Sequence, residues 1–281
     1  MSFSIAGKTA IVTGAANGIG LSIARHFVEK GANVMFADMD EGRLADELGD
    51  AARDEGHVRM FGGDLRQKLT IANLLSATID AFDRVDILVN ASRQMFASDP
   101  LCAEDDGVET LLQQNLLTSL RVSQMVARRM IAQAERAAQE GGQGGGQGAA
   151  ANGASLGSIV NISSIAARRT QPELLAYSVS CAALDQMTRS LAVALAPKRI
   201  RVNALAFGSV MSASLKDALK DQPKIRSEIR EHTPLERIAA PGELSDAAQF
   251  LASDAAGFMT GQILTIDGGR SLLDAVCAPV H

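Results

Sequence analysis

Seven apolar runs of strand length, each separated from the next by a helix-length segment, constrain this chain more than any other feature. They are Thr9–Thr13, Asn33–Ala37, Val58–Phe61, Asp86–Asn90, Ser158–Ile162, Arg201–Ala206 and Ile263–Ile266. Apolar residues at three- and four-residue spacing predict helices between them: Ile19–Lys30, Glu41–Glu55, Leu69–Phe82, Val108–Ala138, Ala176–Leu195, Leu215–Glu231 and Leu244–Ala252. Runs such as Ala10-Ile11-Val12 and Ile87-Leu88-Val89 lack the alternation of a half-exposed strand. They therefore predict strands covered on both faces, and strict strand–helix alternation makes those strands parallel. Right-handed crossovers place helices on both sides. The expected class is α/β, a doubly wound three-layer sandwich on a parallel sheet of about seven strands, which binds ligands at the carboxyl ends of its strands.

The first strand runs into Thr13-Gly14-Ala15-Ala16-Asn17-Gly18-Ile19-Gly20, which opens an amphipathic helix. Gly14 permits a tight turn, Gly18 lets backbone approach a pyrophosphate, and Gly20 lets the helix pack closely on the strand. The helix N-terminus supplies N–H donors and partial positive charge for the anion. A glycine-rich loop alone is a weak signal, and a plain turn is the alternative reading. Here it sits in the required strand–turn–helix context, and the second strand ends in Ala37-Asp38. A carboxylate there accepts hydrogen bonds from both adenosine ribose hydroxyls and repels a 2′-phosphate, while neighbouring Asn17 is uncharged. These residues predict a Rossmann-type dinucleotide site that prefers NAD over NADP.

A chain of 281 residues holds one large domain more readily than two. Net charge is −5, and Lys and Arg never run beyond pairs, so a nucleic-acid partner is not expected. No apolar run reaches membrane-spanning length, Met1 to Lys8 lacks a signal-peptide pattern, and a cytoplasmic location is expected. Cys102, Cys181 and Cys277 have neither disulfide-framework nor zinc spacing, and His26, His57, His232 and His281 lack ligand spacing, so no metal is expected. One segment breaks the alternation: Gln139–Gly157 is rich in Gly, Ala and Gln and reads as a flexible surface insertion.

The whole chain resembles the single-domain short-chain dehydrogenases/reductases, which use NAD(P) to interconvert alcohols and carbonyls. The resemblance spans the glycine loop, Asp64-Leu65, Asn90, Asn115, Ser163-Ser164, Tyr177, Thr260-Gly261-Gln262 and Asp267-Gly268-Gly269. It implies that Asp64 and Leu65 flank the adenine, with Gly14, Asn17, Gly18, Ile19, Gly20, Asp38, Asn90, Tyr177 and Gly208 also on the cofactor side. It implies further that Asn115 holds a water in a proton relay, that Ser164 orients the substrate oxygen and that Tyr177 is the acid/base. Carbonyl reduction by hydride needs such a proton donor and such a polarising group.

Three stretches of the chain depart from the family pattern. The family tyrosine is followed four residues later by lysine, whereas this chain reads Tyr177-Ser178-Val179-Ser180-Cys181. Asn90-Ala91-Ser92-Arg93 stands where the family has Asn-Asn-Ala-Gly, and Phe207-Gly208 where it has Pro-Gly, with Ser212 in place of threonine. A cation is one of the few ways to lower a phenol near pKa ~10, and a thiol supplies none. Two readings follow: a working dehydrogenase whose weaker proton relay still suffices, with Arg93 a candidate for the missing cation, or a dinucleotide-binding sensor, regulatory subunit or scaffold that has lost catalysis. A reactive Cys181 ranks below a small buried one.

Residues Ser209–Thr233 fall where the family has a lid over its substrate, a small alcohol or carbonyl compound. Ile165, Arg168, Arg169, Gln171 and Phe207 are pocket candidates, although paired loop arginines are usually solvated. Family members commonly associate through the helices corresponding to Val108–Ala138 and Ala176–Leu195, so a homotetramer or homodimer is expected.

Overall fold

A computed structural model of the chain describes residues 2–49, 56–102, 104, 107–141, 155–220 and 222–274. Its strands are β1 Thr9–Thr13, β2 Asn33–Asp38, β3 Val58–Gly62, β4 Ile87–Asn90, β5 Gly157–Ser164, β6 Ile200–Phe207 and β7 Ile263–Ile266. All pair in parallel in the order β3-β2-β1-β4-β5-β6-β7. The order reverses at β1, which pairs β2 on one side and β4 on the other, so the chain leaves the sheet in opposite directions there. That divergence opens the crevice expected of a doubly wound sheet.

The helices are α1 Gly18–Glu29, α2 Glu41–Leu48, α3 Lys68–Phe82, α4 Val108–Leu111, α5 Thr118–Gly141, α6 Leu175–Leu195, α7 Ala213–Ala218, α8 Pro223–Glu231 and α9 Pro241–Ala252. On one face of the sheet Phe27 of α1 and Leu244 and Leu251 of α9 pack with Val12 and Phe36. On the other, Leu74 of α3 and Val122, Val126 and Met130 of α5 pack with Ile11, Leu88 and Ile159. Burying each such side chain contributes about 1.5–3 kcal/mol, so the two layers hold the sheet. A smaller cluster of Leu111, Ala166, Ala176, Tyr177 and Cys181 lies at the carboxyl end of β5.

Two predicted helices are divided. Val108–Ala138 is crossed by a π-helical segment, Leu112–Leu117, whose wider turn carries Asn115. Leu215–Glu231 is two helices, because Pro223 at the start of α8 lacks the N–H that would continue α7. Residues 50–55 of the predicted second helix and 142–154 of the Gly-rich insertion lie outside the described residues, as do Cys277 and His281.

Candidate active site

The crevice is built first from backbone. Gly14 has φ +68°, and a Cβ there would lie 2.7 Å from the Ala91 carbonyl oxygen and from Ser92 N. A Cβ on Gly20 would fall 2.1 Å from the Gly14 carbonyl oxygen, while Gly18, at φ +55°, faces open space. Gly14 thus joins the β1 loop to the β4 loop, Gly20 seats α1 under it, and Gly18 leaves the helix N-terminus uncovered. Asn17 is exposed and its side chain does not cap α1, and Ile19 is half-buried behind it.

Asp38 reaches back from β2 onto this loop. Ala16 N–H donates to its Oδ2 at 3.0 Å and Asp40 N–H to its Oδ1 at 3.1 Å. The carboxylate is therefore aimed by backbone at the edge of a cavity lined by Gly14, Asp38, Asp64, Leu65, Ser92 and Gln114, among others. Asp64 is clasped by Arg66 at 2.8–3.0 Å, and that hydrogen-bonded guanidinium holds its carboxyl below the usual aspartate range. Leu65 is buried beside it. This cavity, an aligned carboxylate and an open helix N-terminus fit an adenosine diphosphate group.

At the ends of β4, β5 and β6 the structure brings together Asn90, Arg93, Asn115, Ser164, Tyr177, Cys181 and Phe207. Tyr177 is 2% exposed and Ser164 is 9% exposed. Burial pushes the phenol up, while the Arg93 charge and a hydrogen bond from Ser164 pull it down without reversing the direction. Arg93 Nη1 donates to the phenol oxygen at 2.5 Å. Its guanidinium carbon lies 4.3 Å from the Phe207 ring centroid, and Nη1 also faces the Ser163 carbonyl at 3.5 Å. Cys181 is 3% exposed and its thiol is pushed up by burial, so it carries no charge at neutral pH. The cavity between these groups is lined by Asn90, Ser92, Arg93, Asn115, Tyr177 and Cys181, among others.

Asn90 Nδ2 donates to Ser123 Oγ at 2.9 Å and to Asn161 Oδ1 at 2.8 Å, whereas its Oδ1 is buried without a protein partner. Asn115 is committed to the neighbouring loop: Gln94 N–H donates to its Oδ1 at 2.8 Å, and its Nδ2 donates to the Gln94 carbonyl at 3.0 Å and to Ser180 Oγ at 3.0 Å. Its main-chain carbonyl accepts from Ser119 Oγ at 3.0 Å. Gly208 lies against Asp267 and Ile165. Of the pocket candidates, Arg168, Arg169 and Gln171 are exposed. Ser209–Thr233 contains α7 and α8, and no side chain of α8 is buried.

Sequence reasoning missed two features here. Ser163 Oγ donates to Asp185 Oδ1 at 2.6 Å beneath the site. The four-residue recurrence Tyr177, Cys181, Asp185 along α6 carried that signal. Thr13 Oγ1 accepts from Ala91 N–H at 3.1 Å and Ser92 N–H at 3.2 Å, which nothing local announces. Among the described residues no group of His, Cys, Asp or Glu could hold a metal, and no helix is long and apolar enough to cross a membrane.

A family profile described as enoyl-(acyl carrier protein) reductase matches residues 14–271. The chain belongs to the short-chain dehydrogenase/reductase family. It is 33% identical over 270 residues to the cis-4-hydroxycyclohexanecarboxylate dehydrogenase of Sinomonas cyclohexanicum, covering 96% of this chain and 98% of that protein. A gluconate 5-dehydrogenase from Burkholderia cenocepacia, solved with NADP and tartrate, superposes with TM-score 0.82 at 29% identity over 97% of this chain and 98% of the other. A 7α-hydroxysteroid dehydrogenase solved with NADH and 7-oxo glycochenodeoxycholic acid does so with TM-score 0.79 at 30% identity over 95% of each. As a short-chain dehydrogenase/reductase, the chain is an oxidoreductase that moves hydride between a nicotinamide dinucleotide and an alcohol or carbonyl substrate. These three relatives are all named dehydrogenases, which favours the enzyme over the scaffold reading. One solved relative holds NADP and the other NADH, so the likeness alone does not separate the two.

Proposed function

We propose that this chain is an NAD-linked dehydrogenase of a secondary alcohol and its ketone. Tyr177 is the acid/base, Ser164 the group that orients the substrate oxygen, and Cys181 stands in place of the family's lysine. The observation that carries this reading is the convergence of Tyr177, Ser164 and Arg93 beside the glycine-built cleft. Asp38, held by Ala16 N–H and followed by exposed Met39, supports NAD, because its carboxylate repels a 2′-phosphate and Arg66, the cation bordering the cavity, is paired with Asp64. Gly14, Asn17, Gly18, Ile19 and Gly20 would hold the pyrophosphate, Asp64 and Leu65 the adenine, and Asn90 and Gly208 the nicotinamide side.

When bound, the nicotinamide ring supplies or accepts the hydride. The protein then has to hold a carbonyl oxygen and deliver one proton to it. Ser164 Oγ fixes the oxygen, and the Tyr177 phenol gives its proton in reduction or takes one in oxidation. Asn115 acts from outside, pairing with both backbone groups of Gln94 and so fixing the loop that carries Arg93. Ser209–Thr233 would close over the substrate as a lid. We further propose one domain, a cytoplasmic location and a homodimer or homotetramer, the last supported by Val179 and Val193 of α6, which are 43% and 77% exposed.

Turnover of a panel of cyclic and hydroxy-acid secondary alcohols with NAD, for the unmodified chain and Tyr177→Phe, tests the reading. Turnover is expected and should fall about 100-fold or more in the variant, the size of a lost general acid/base. NADH binding without turnover of any panel member would return the scaffold reading.

A further inference from the structure

We propose that Arg93 is the cation of this active site, a catalytic residue that holds the Tyr177 phenolate in place of a lysine on α6. The inference rests on the assignment of Tyr177 as acid/base and adds the group that makes it competent.

A phenol that is 2% exposed needs a partner for its anion, because burial disfavours the charged form. Among the described side chains around it, Arg93 brings a positive charge that assists ionisation, whereas the adjacent Cys181 thiol is neutral and supplies none. A guanidinium stays charged throughout the physiological range. Its Nη1 already donates to the phenol oxygen, so the charge-assisted bond strengthens as the proton leaves.

Arg93 is held there from several sides. On its N-terminal side Ala91 and Ser92 give their N–H groups to Thr13 Oγ1. On its C-terminal side Gln94 is paired through both backbone groups with Asn115. Beneath it, the guanidinium lies over the Phe207 ring at 4.3 Å in a cation–π contact. Three of the departures from the family pattern, Arg93, Cys181 and Phe207, are therefore one cluster. Arg93 brings the charge, Phe207 is its platform, and Cys181 lines the same cavity as the Arg93–Tyr177 pair. In reduction the proton on Tyr177 passes to the substrate oxygen, the phenolate is left paired with Arg93, and solvent returns the proton.

The chain has one tyrosine and no tryptophan, so every tyrosine signal reports Tyr177 alone. The experiment follows tyrosinate absorption, and the NMR shift of the labelled ring carbon bearing oxygen, in the cofactor-free protein, the Arg93→Met and Arg93→Lys variants, and within the pH range where circular dichroism is constant. Arg93→Met should raise the Tyr177 midpoint by about 1–3 pH units and move the ring-carbon signal at neutral pH, with Arg93→Lys between it and the unmodified protein. A ring-carbon signal unmoved by Arg93→Met, or a midpoint equal or lower, overturns the proposal, even where the midpoint of one form lies beyond the stable range. No substrate is involved, so a protein that turns nothing over still reports on Arg93. Turnover with an unshifted Tyr177 would reject Arg93 and leave the dehydrogenase reading standing.

Discussion

Asp185 shows how much a single buried charge near the site shapes the protein. It lies 4% exposed on α6, and burial raises its carboxyl above the usual aspartate value, although Ser163, Arg168 and Arg189 pull the other way. An acid whose folded pKa is raised is most compatible with the fold when protonated. Its contribution is therefore fully favourable below the unfolded value of ~3.9 and is lost as pH rises through the higher folded value. Asp185→Asn keeps an acceptor for Ser163 Oγ and removes the charge. The variant should match the unmodified protein in denaturant midpoint near the unfolded value and exceed it at neutral pH. A gap that stays constant with pH would show that Asp185 is not the titrating group.

Elements position the site through the junction of β1 and β4, where the glycines have separable roles. Gly14→Ala meets both a left-handed φ of +68° and backbone atoms of Ala91 and Ser92 at 2.7 Å, whereas Gly18→Ala, at +55°, meets nothing within 4 Å. The left-handed conformation alone costs about 1–2 kcal/mol, and the collision adds about 1–3 kcal/mol. Chemical denaturation should therefore rank Gly14→Ala well below Gly18→Ala in stability, while Gly18→Ala loses dinucleotide affinity through its new methyl over the helix N-terminus; equal stability would reject this account. Much of this level was legible in the sequence: β1 matches its predicted bounds to the residue because a strand buried on both faces is an unbroken apolar run, and β7 matches too although this edge strand is only half-buried. The π-helical turn at Leu112–Leu117 was not, since a three- and four-residue rhythm does not register one wide turn. The break at Pro223 had a readable sign that the charge pattern of 215–231 masked. Within the site, motif spacing located Ser164 and Tyr177, but stacking of Arg93 on Phe207 joins residues from separate strand ends, and no local pattern encodes it.

At the scale of the molecule, the sheet is two parallel halves meeting at β1 and β4, and the cleft between their carboxyl ends draws on both. Asp38 and Gly62 terminate neighbouring strands of one half, while Asn90, Ser164 and Phe207 terminate strands of the other. A dinucleotide laid across that seam touches groups whose positions depend on both halves, so its binding free energy adds to the stability of the whole. For a ligand that binds only the folded state, a concentration of about 100 Kd adds about 2.7 kcal/mol. In a chain of 281 residues that corresponds to a rise in Tm of about 5 °C. NADH at saturation should produce such a rise, and NADPH at the same concentration a much smaller one, because the proposed role of Asp38 would set its carboxylate against the 2′-phosphate. Asp38→Ala should narrow the difference by weakening the NADH effect and relieving the repulsion of NADPH. Equal stabilisation of the unmodified protein by both dinucleotides would take the choice of cofactor away from Asp38, and an NADPH preference already present in the unmodified protein and retained in Asp38→Ala would move it to Arg66, the cation that borders the same cavity.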